Sequence, residues 1–91
     1  MAILRVHFYI YGAVQGVFFR RSAKNKADEL GIFGWIRNKP DSTVEAVAQG
    51  QKDKLNKFIS WCKKGPPFAQ VEKVEVEWKK NLEDLEDFSI L

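Results

Sequence analysis

Residues 12–20 read Gly12-Ala13-Val14-Gln15-Gly16-Val17-Phe18-Phe19-Arg20. An alternating apolar segment precedes this stretch, and a segment with helical spacing follows it. Gly12 and Gly16 have no Cβ, so the backbone can turn sharply there and approach a ligand closely. A helix that begins just after the turn directs unpaired N–H groups and a partial positive charge into the concavity, and Arg20 adds a planar cation suited to two phosphate oxygens. The stretch therefore predicts an anion-binding loop, with a simple strand-to-helix turn as the alternative.

The segments on either side of the loop predict a strand and a helix. From Ile3 to Tyr11 the residues alternate, which is typical of a strand with one buried face. His7 falls on the opposite face, and we interpret it as a surface residue. A helix is predicted from about Arg20 to Leu30, and Gly31 supplies the left-handed residue that commonly ends one. The apolar positions of this helix are Phe19, Ala23, Ala27 and Leu30.

The rest of the chain contains four longer segments with strand or helix patterning and one short one: strands over Ile32–Asn38 and Thr43–Gln49, a helix over roughly Lys52–Lys64, a strand over Val71–Trp78, and a short closing strand that includes Phe88 and Ile90. Lys39-Pro40-Asp41-Ser42 has turn chemistry and joins the first two of these strands into a hairpin. The parity of the apolar residues breaks at Val71, which predicts a bulge near Glu72 or Lys73.

The predicted order is strand, helix, strand, strand, helix, strand. Two right-handed crossovers place both helices on the same face of an antiparallel sheet. This is the ferredoxin-like βαββαβ sandwich, an α+β fold, with a short C-terminal strand added at the end. One face of the sheet is covered and the other is open.

Length and composition indicate one globular domain over residues 1–91, large enough for a modest core. The formal charge of +3 fits an anionic small molecule and also weak nucleic-acid binding. The N-terminal apolar run is short and contains Arg5 and His7, so neither a signal peptide nor a membrane span is predicted. We expect a cytoplasmic monomer.

Several phosphate chemistries are excluded by residue type. The only cysteine, Cys62, lies on the apolar stripe of a predicted helix, and His7 is the only histidine. These two residues cannot form a disulfide, a zinc ligand set or a histidine-phosphatase pair. The chain has no Asp-x-Asp segment, no Walker sequence and no third loop glycine. Any hydrolysis would therefore proceed without a metal, a cofactor or a covalent intermediate, which suits a substrate that is already reactive.

The loop resembles the signature of the acylphosphatase family, Gly-x-Val-Gln-Gly-Val-x-Phe-Arg. All seven fixed positions are filled, by Gly12, Val14, Gln15, Gly16, Val17, Phe19 and Arg20. A second block, Gly34-Trp35-Ile36-Arg37-Asn38 followed by Pro40-Asp41 and Val44-Glu45, is similar to the family's Gly-Trp/Tyr-Val-x-Asn-x-Pro-Asp-Gly-Ser/Thr-Val-Glu. Gly65-Pro66-Pro67, the strand over 71–76 and Phe88-Ser89-Ile90 also resemble family features, so the likeness extends over nearly the whole chain.

The resemblance implies a freestanding acylphosphatase that hydrolyses a carboxyl–phosphate bond to carboxylate and inorganic phosphate. In that family the loop arginine binds the phosphate and the asparagine orients the attacking water, roles that fall by position on Arg20 and Asn38. The backbone amides that complete the phosphate cradle are those of Gln15, Gly16, Val17, Phe18 and Phe19. The implied partner is a small acyl phosphate, with phosphate as a product inhibitor. Without the resemblance, the residues alone favour a simpler interpretation of Asn38, as a side chain at a strand end that hydrogen-bonds its own backbone.

The sequence departs from the family pattern at two positions. Ser42 stands where the hairpin glycine is usual, which leaves the turn type open, and Ala13 occupies a variable position that is often basic in relatives. Neither change affects Arg20 or Asn38.

Three other functions share this element order. An RNA-recognition domain needs stacking aromatics on its central strands, but the third strand has none and carries Glu45. A non-catalytic binding module would not need the amide at Asn38. Hydrogenase-maturation proteins contain related domains, but their pathway needs partner domains, and we expect this 91-residue chain to be freestanding.

Overall fold

The computed structural model describes residues 2–91. The chain forms five strands and two helices: β1 (Ile3–Ala13), α1 (Phe19–Leu30), β2 (Phe33–Asn38), β3 (Val44–Gln51), α2 (Lys52–Lys64), β4 (Gln70–Lys79) and β5 (Phe88–Ile90). The predicted order is confirmed, including the short closing strand. The largest differences in a boundary are of two residues: β1 continues past Tyr11 to Ala13, and β3 continues past Gln49 to Gln51.

The sheet has the strand order β4-β1-β3-β2-β5. Its first four strands are antiparallel neighbours, as predicted. The C-terminal strand β5 instead runs parallel to β2, so the complete sheet is mixed. The reason is the connection over residues 80–87, which crosses one end of the sheet, where Arg5 Nε donates to Asn81 O (2.7 Å) and Gln49 Nε2 donates to Glu83 O (3.0 Å). The chain therefore enters the far edge at the end where β2 begins.

Both helices cover the same face of the sheet. Alternate residues of β1 are completely buried beneath them: Val6, Phe8 and Ile10. The ring of Phe58 in α2 meets Phe8 and Phe88 edge-on, with centroid distances of 5.8 and 5.6 Å. The predicted stripe of α2 is buried as expected: Leu55, Phe58, Ile59 and Cys62. The ferredoxin-like prediction is thus confirmed by the layering as well as by the order.

The predicted bulge lies in β4. Tyr11 pairs with Lys73 and Gly12 pairs with Val71, so Glu72 is the extra residue. Gly12 has a φ of 127°, and a Cβ at this position would lie 2.1 Å from the carbonyl oxygen of Gln70. The glycine is therefore required by the close approach of β4, a structural reason that the sequence analysis did not identify.

The connections bring the loop between β1 and α1 beside the end of β2, and this fixes where a site can form. Among residues 2–91, no helix is both long enough and apolar enough to cross a membrane.

Candidate active site

The loop between β1 and α1 has an unusual backbone. Gly16 and Phe18 both have left-handed φ values, 73° and 63°. Residues with a left-handed backbone direct successive N–H groups toward one concave side of the loop. In the part of the chain that the structure describes, no hydrogen bond occupies the backbone N–H groups of Gln15, Gly16, Val17, Phe18 or Phe19. The loop therefore has free donors at the beginning of a helix, where the helix dipole also favours an anion.

A cavity of about 370 Å³ lies against this loop. Arg20 and Asn38 both line it, although one belongs to α1 and the other ends β2. The complete lining is Val14, Gly16, Phe18, Phe19, Arg20, Arg21, Asn38 and Ile90. The fold thus brings the two candidate catalytic residues to one cavity. Of the five loop positions, Gly16, Phe18 and Phe19 line it, whereas Gln15 and Val17 do not.

Arg20 brings a positive charge to this cavity. Its Nη1 atom lies 3.4 Å from the backbone oxygen of Leu91, the last residue of the chain, which is a long contact. Within residues 2–91, no Asp or Glu side chain pairs with it. The planar guanidinium is therefore available for a bidentate contact with an anion such as phosphate.

Asn38 has the most informative polar atom of the site. Its Oδ1 atom is buried and has no hydrogen-bond partner in the part of the chain that the structure describes. A buried polar atom without a partner costs folding free energy, on the order of 1–3 kcal/mol. The alternative that Oδ1 bonds the backbone of its own turn is not found. Because folding does not account for this arrangement, we interpret the amide as one held for a ligand or a reacting molecule.

Gln15 lies outside the cavity but links its two sides. The side-chain Nε2 atom donates to the carbonyl oxygens of Lys39 (2.8 Å) and Thr43 (2.9 Å). These two carbonyls close the β2–β3 hairpin, because Lys39 N also donates to Thr43 O. Sequence reasoning assigned Gln15 a backbone amide and did not predict the partners of its side chain. No local pattern identifies an acceptor more than twenty positions away.

The hairpin turn explains how Ser42 replaces a glycine. Ser42 N donates to Lys39 O (3.2 Å), and Ser42 itself has a left-handed φ of 74°. This is a turn over Pro40 and Asp41 followed by a left-handed residue, a common three-residue hairpin loop. Asp41 Oδ1 accepts hydrogen bonds from the hydroxyl and the backbone N–H of Thr43, which hold the pKa of Asp41 below its usual value.

A polar cluster lies on the open face of the sheet, away from the cavity. Glu45 accepts hydrogen bonds from His7 Nε2 (2.7 Å) and Arg37 Nε (2.6 Å). Burial raises the pKa of Glu45, but these two hydrogen bonds outweigh it, so the net pKa lies below the usual value. His7 lies on the open face of the sheet, as expected, and Arg37 is an exposed residue of β2. What the sequence did not predict is that the register of β1 and β2 against β3 places them on either side of a nearly buried carboxylate.

Cys62 serves as a core residue. Cys62 is completely buried, and burial raises the pKa of its thiol. Across the described residues, no three His, Cys, Asp or Glu side chains gather closely enough to hold a metal ion.

The sequence is similar to known acylphosphatases over almost its whole length. The family model described as Acylphosphatase matches residues 6–90. An acylphosphatase of Pyrobaculum islandicum is 51% identical over 92 residues, covering 100% of this chain and 97% of that protein.

The fold is similar to solved structures of the same family. The crystal structure of the acylphosphatase from Bacillus subtilis matches with a TM-score of 0.94 at 35% identity, covering 97% of this chain and 98% of that one. Full-length HypF, solved in a phosphate- and nucleotide-bound form, matches with a TM-score of 0.90 at 25% identity, but only 12% of that chain is covered. The likeness therefore spans almost all of the acylphosphatase and a small part of HypF.

Proposed function

The chain belongs to the acylphosphatase family of enzymes, and we propose that it hydrolyses small acyl phosphates with Arg20 and Asn38 as its catalytic residues. One observation carries the proposal. The cavity that Arg20 lines is also lined by Asn38, whose buried Oδ1 atom has no hydrogen-bond partner among residues 2–91. A cation and an amide acceptor that line the same small cavity suit a phosphoryl group and a water molecule.

Arg20 and the loop hold the phosphoryl group. The guanidinium fork binds two of its oxygens, and the free N–H groups of residues 15–19 donate to the oxygens on the loop side. In phosphoryl transfer these oxygens carry the charge of the transition state, so positioning and electrostatic stabilisation supply most of the catalysis. The donors are fixed before the substrate arrives, so little reorganisation is needed during the reaction.

Asn38 positions the attacking water. Its Oδ1 atom accepts one O–H of the water and so directs an oxygen lone pair toward phosphorus. A neutral amide is suited to this role, because it neither removes the proton outright nor repels the dianionic phosphoryl group. Gln15 assists indirectly, since its two hydrogen bonds fix the hairpin that begins just after Asn38.

The bond changes are simple. The water oxygen forms a bond to phosphorus, and the bond between phosphorus and the acyl oxygen breaks, with its electron pair leaving on the carboxylate. One water proton passes to a phosphoryl oxygen, so RCO₂PO₃²⁻ and H₂O give RCO₂⁻ and H₂PO₄⁻. A carboxylate is a weak base and leaves without a general acid. The phosphate formed fits the same loop and acts as a competitive inhibitor.

The lining of the cavity supports a direct displacement. It contains no Cys, His, Ser, Asp or Glu side chain that could form a covalent phosphoryl intermediate. The proposal assigns no role to a resident metal, since the described residues provide no ligand cluster for one. It treats residues 1–91 as one domain, which agrees with the continuous core of the described residues, and it takes that domain to act as a monomer.

The initial rate of benzoyl phosphate hydrolysis in excess chelator tests this function. We expect a rate far above the spontaneous one, unchanged by the chelator and inhibited competitively by inorganic phosphate. A rate equal to the spontaneous one would overturn the enzymatic function. Activity that chelator abolishes and a divalent cation restores would overturn the metal-free mechanism.

A further inference from the structure

We propose that Phe18 binds the acyl group of the substrate and makes this enzyme selective for acyl phosphates with aromatic or similarly bulky apolar acyl groups. This inference rests on the proposed function and adds the substrate class. Phe18 occupies a position that the loop signature leaves variable, so the signature itself assigns it no role beyond its backbone.

Folding does not explain a phenylalanine at this position. The Phe18 side chain is 74% exposed, whereas its neighbour Phe19 is 1% exposed and packs against Trp61 with a centroid distance of 5.6 Å. Phe18 is also absent from the buried core and from the partly buried residues packed against it. A large aromatic surface in water contributes nothing to stability, and solvent-exposed aromatics of this kind are typical of binding surfaces.

The backbone at Phe18 also disfavours such a side chain. Its φ and ψ of 63° and 23° are in the left-handed region, which glycine and asparagine adopt much more readily than a bulky residue does. The loop geometry at the beginning of α1 requires this conformation, but it does not require a phenylalanine. The side chain is therefore kept at a conformational cost, which points to a role outside folding.

The cavity gives that role a location. Its polar lining consists of Arg20, Arg21 and Asn38, which suit the phosphoryl group and the water. Two of its apolar residues, Val14 and Phe19, are 1% exposed and belong to the core. Phe18 and the partly buried Ile90 remain as the apolar surface that a bound molecule can touch. Because the phosphoryl group occupies the cationic part, the acyl group is left to contact the ring of Phe18.

This contact favours one class of acyl group. An aromatic acyl group can pack against the ring in an offset or edge-on arrangement, and a long aliphatic group can cover it. An acetyl or carbamoyl group is too small to bury much of the ring. We therefore expect the preference to depend on the size and apolar surface of the acyl group, and to be expressed mainly through KM.

The test compares kcat/KM for benzoyl phosphate and acetyl phosphate in the wild type, Phe18→Ala, Phe18→Asn and Phe18→Leu. Asparagine tolerates the left-handed backbone, so Phe18→Asn removes the ring with little disturbance of the loop. Phe68→Ala is the matched control, since Phe68 is 76% exposed and lies outside the cavity. Using the ratio of the two substrates within each variant cancels any general loss of activity.

We expect the wild type and Phe68→Ala to favour benzoyl phosphate over acetyl phosphate. Phe18→Ala and Phe18→Asn should lower that ratio by roughly threefold to tenfold, as expected for loss of one aromatic contact, and Phe18→Leu should fall between. The inhibition constant of inorganic phosphate should stay within about twofold in Phe18→Asn, because the phosphate-binding groups remain. A ratio that is unchanged in all three Phe18 variants would overturn the inference while leaving the enzyme active. Failure of the wild type on both substrates would instead overturn the proposed function.

Discussion

The side-chain Nε2 atom of Gln15 donates a hydrogen bond to the carbonyl oxygen of Lys39 across 2.8 Å. Lys39 directly follows Asn38, so this bond connects the loop that we propose to bind phosphate to the residue that we assign to the water. The same Nε2 atom donates a second hydrogen bond to the carbonyl oxygen of Thr43, on the other side of the hairpin turn. The two halves of the site are therefore held together by one side chain rather than by the sheet alone.

Gln15→Leu should lower kcat by about tenfold or more, because two hydrogen bonds of about 1 kcal/mol each position Asn38 relative to the loop. Steady-state kinetics on benzoyl phosphate measure this effect. Combining Gln15→Leu with Asn38→Ala should cause little further loss, since the first substitution acts through the second residue. Fully additive losses in the double variant would show that Gln15 does not act through Asn38.

Arg20→Lys should raise both KM and the inhibition constant of inorganic phosphate by roughly tenfold or more, because a lysine provides a point charge without the two-pronged contact. Competitive inhibition by phosphate measures the binding part without any turnover. Arg21→Lys is the comparison, since Arg21 lines the same cavity but lies outside the loop signature. Equal phosphate affinity in the wild type and Arg20→Lys would contradict the role of the guanidinium.

Ser42→Gly should stabilise the protein by about 0.5–1 kcal/mol. A left-handed backbone costs a non-glycine residue about 1–2 kcal/mol, and the greater freedom of glycine in the unfolded chain removes part of the gain. Chemical denaturation of the wild type, Ser42→Gly and Ser42→Ala measures the difference. Only the glycine variant should gain stability, and an equal gain in Ser42→Ala would show that the φ of 74° is not the cause.

The free energy of unfolding should decrease as the pH falls below about 4.5, the ordinary pKa of a glutamic acid such as Glu45. The folded state lowers the pKa of this carboxyl, so the unfolded state binds more protons in that range. The stabilisation from His7 and Arg37 is present above the ordinary pKa and is lost as the pH falls through the lowered one.

Urea titrations at about pH 7, pH 4 and pH 3 measure this slope. Glu45→Gln should be less stable than the wild type at pH 7 and should show a shallower acid dependence, with the remaining slope coming from groups such as Asp41 and Glu77, whose pKa values are also lowered. An identical slope in the variant would mean that Glu45 does not contribute.

The fold could be predicted because its signals are local. Alternation in β1, the helical spacing in α2 and the turn chemistry at Pro40 each depend on neighbouring residues. The direction of β5 could not be predicted, since it depends on where residues 80–87 cross the sheet, and that crossing is fixed by contacts with Arg5 and Gln49. The direction of β5 therefore depends on contacts between residues that are distant in sequence, which local patterns do not report.

The candidate site likewise has a part that the sequence predicted and a part that it did not. Arg20 and Asn38 were identified by their resemblance to two family blocks, and neither spacing nor composition places them in one cavity. The contacts of Gln15 with Lys39 and of His7 with Glu45 were missed, because each joins residues that only strand register or loop packing brings together. The helical spacing assigned Phe19, and not Phe18, to the buried face of the helix, but it could not predict that Phe18 lines the cavity while it is 74% exposed.

The central claim is that the buried, unpartnered Oδ1 atom of Asn38 positions the attacking water. The most direct test measures kcat for benzoyl phosphate and the free energy of unfolding together, in the wild type and Asn38→Ala. We predict a loss in kcat of about 10²–10³-fold, as for removal of one preorganised transition-state hydrogen bond, with phosphate inhibition retained. Stability should be unchanged or slightly higher, because an unsatisfied buried atom is removed. A variant that keeps its kcat, or that loses activity only in proportion to unfolding, would contradict the account.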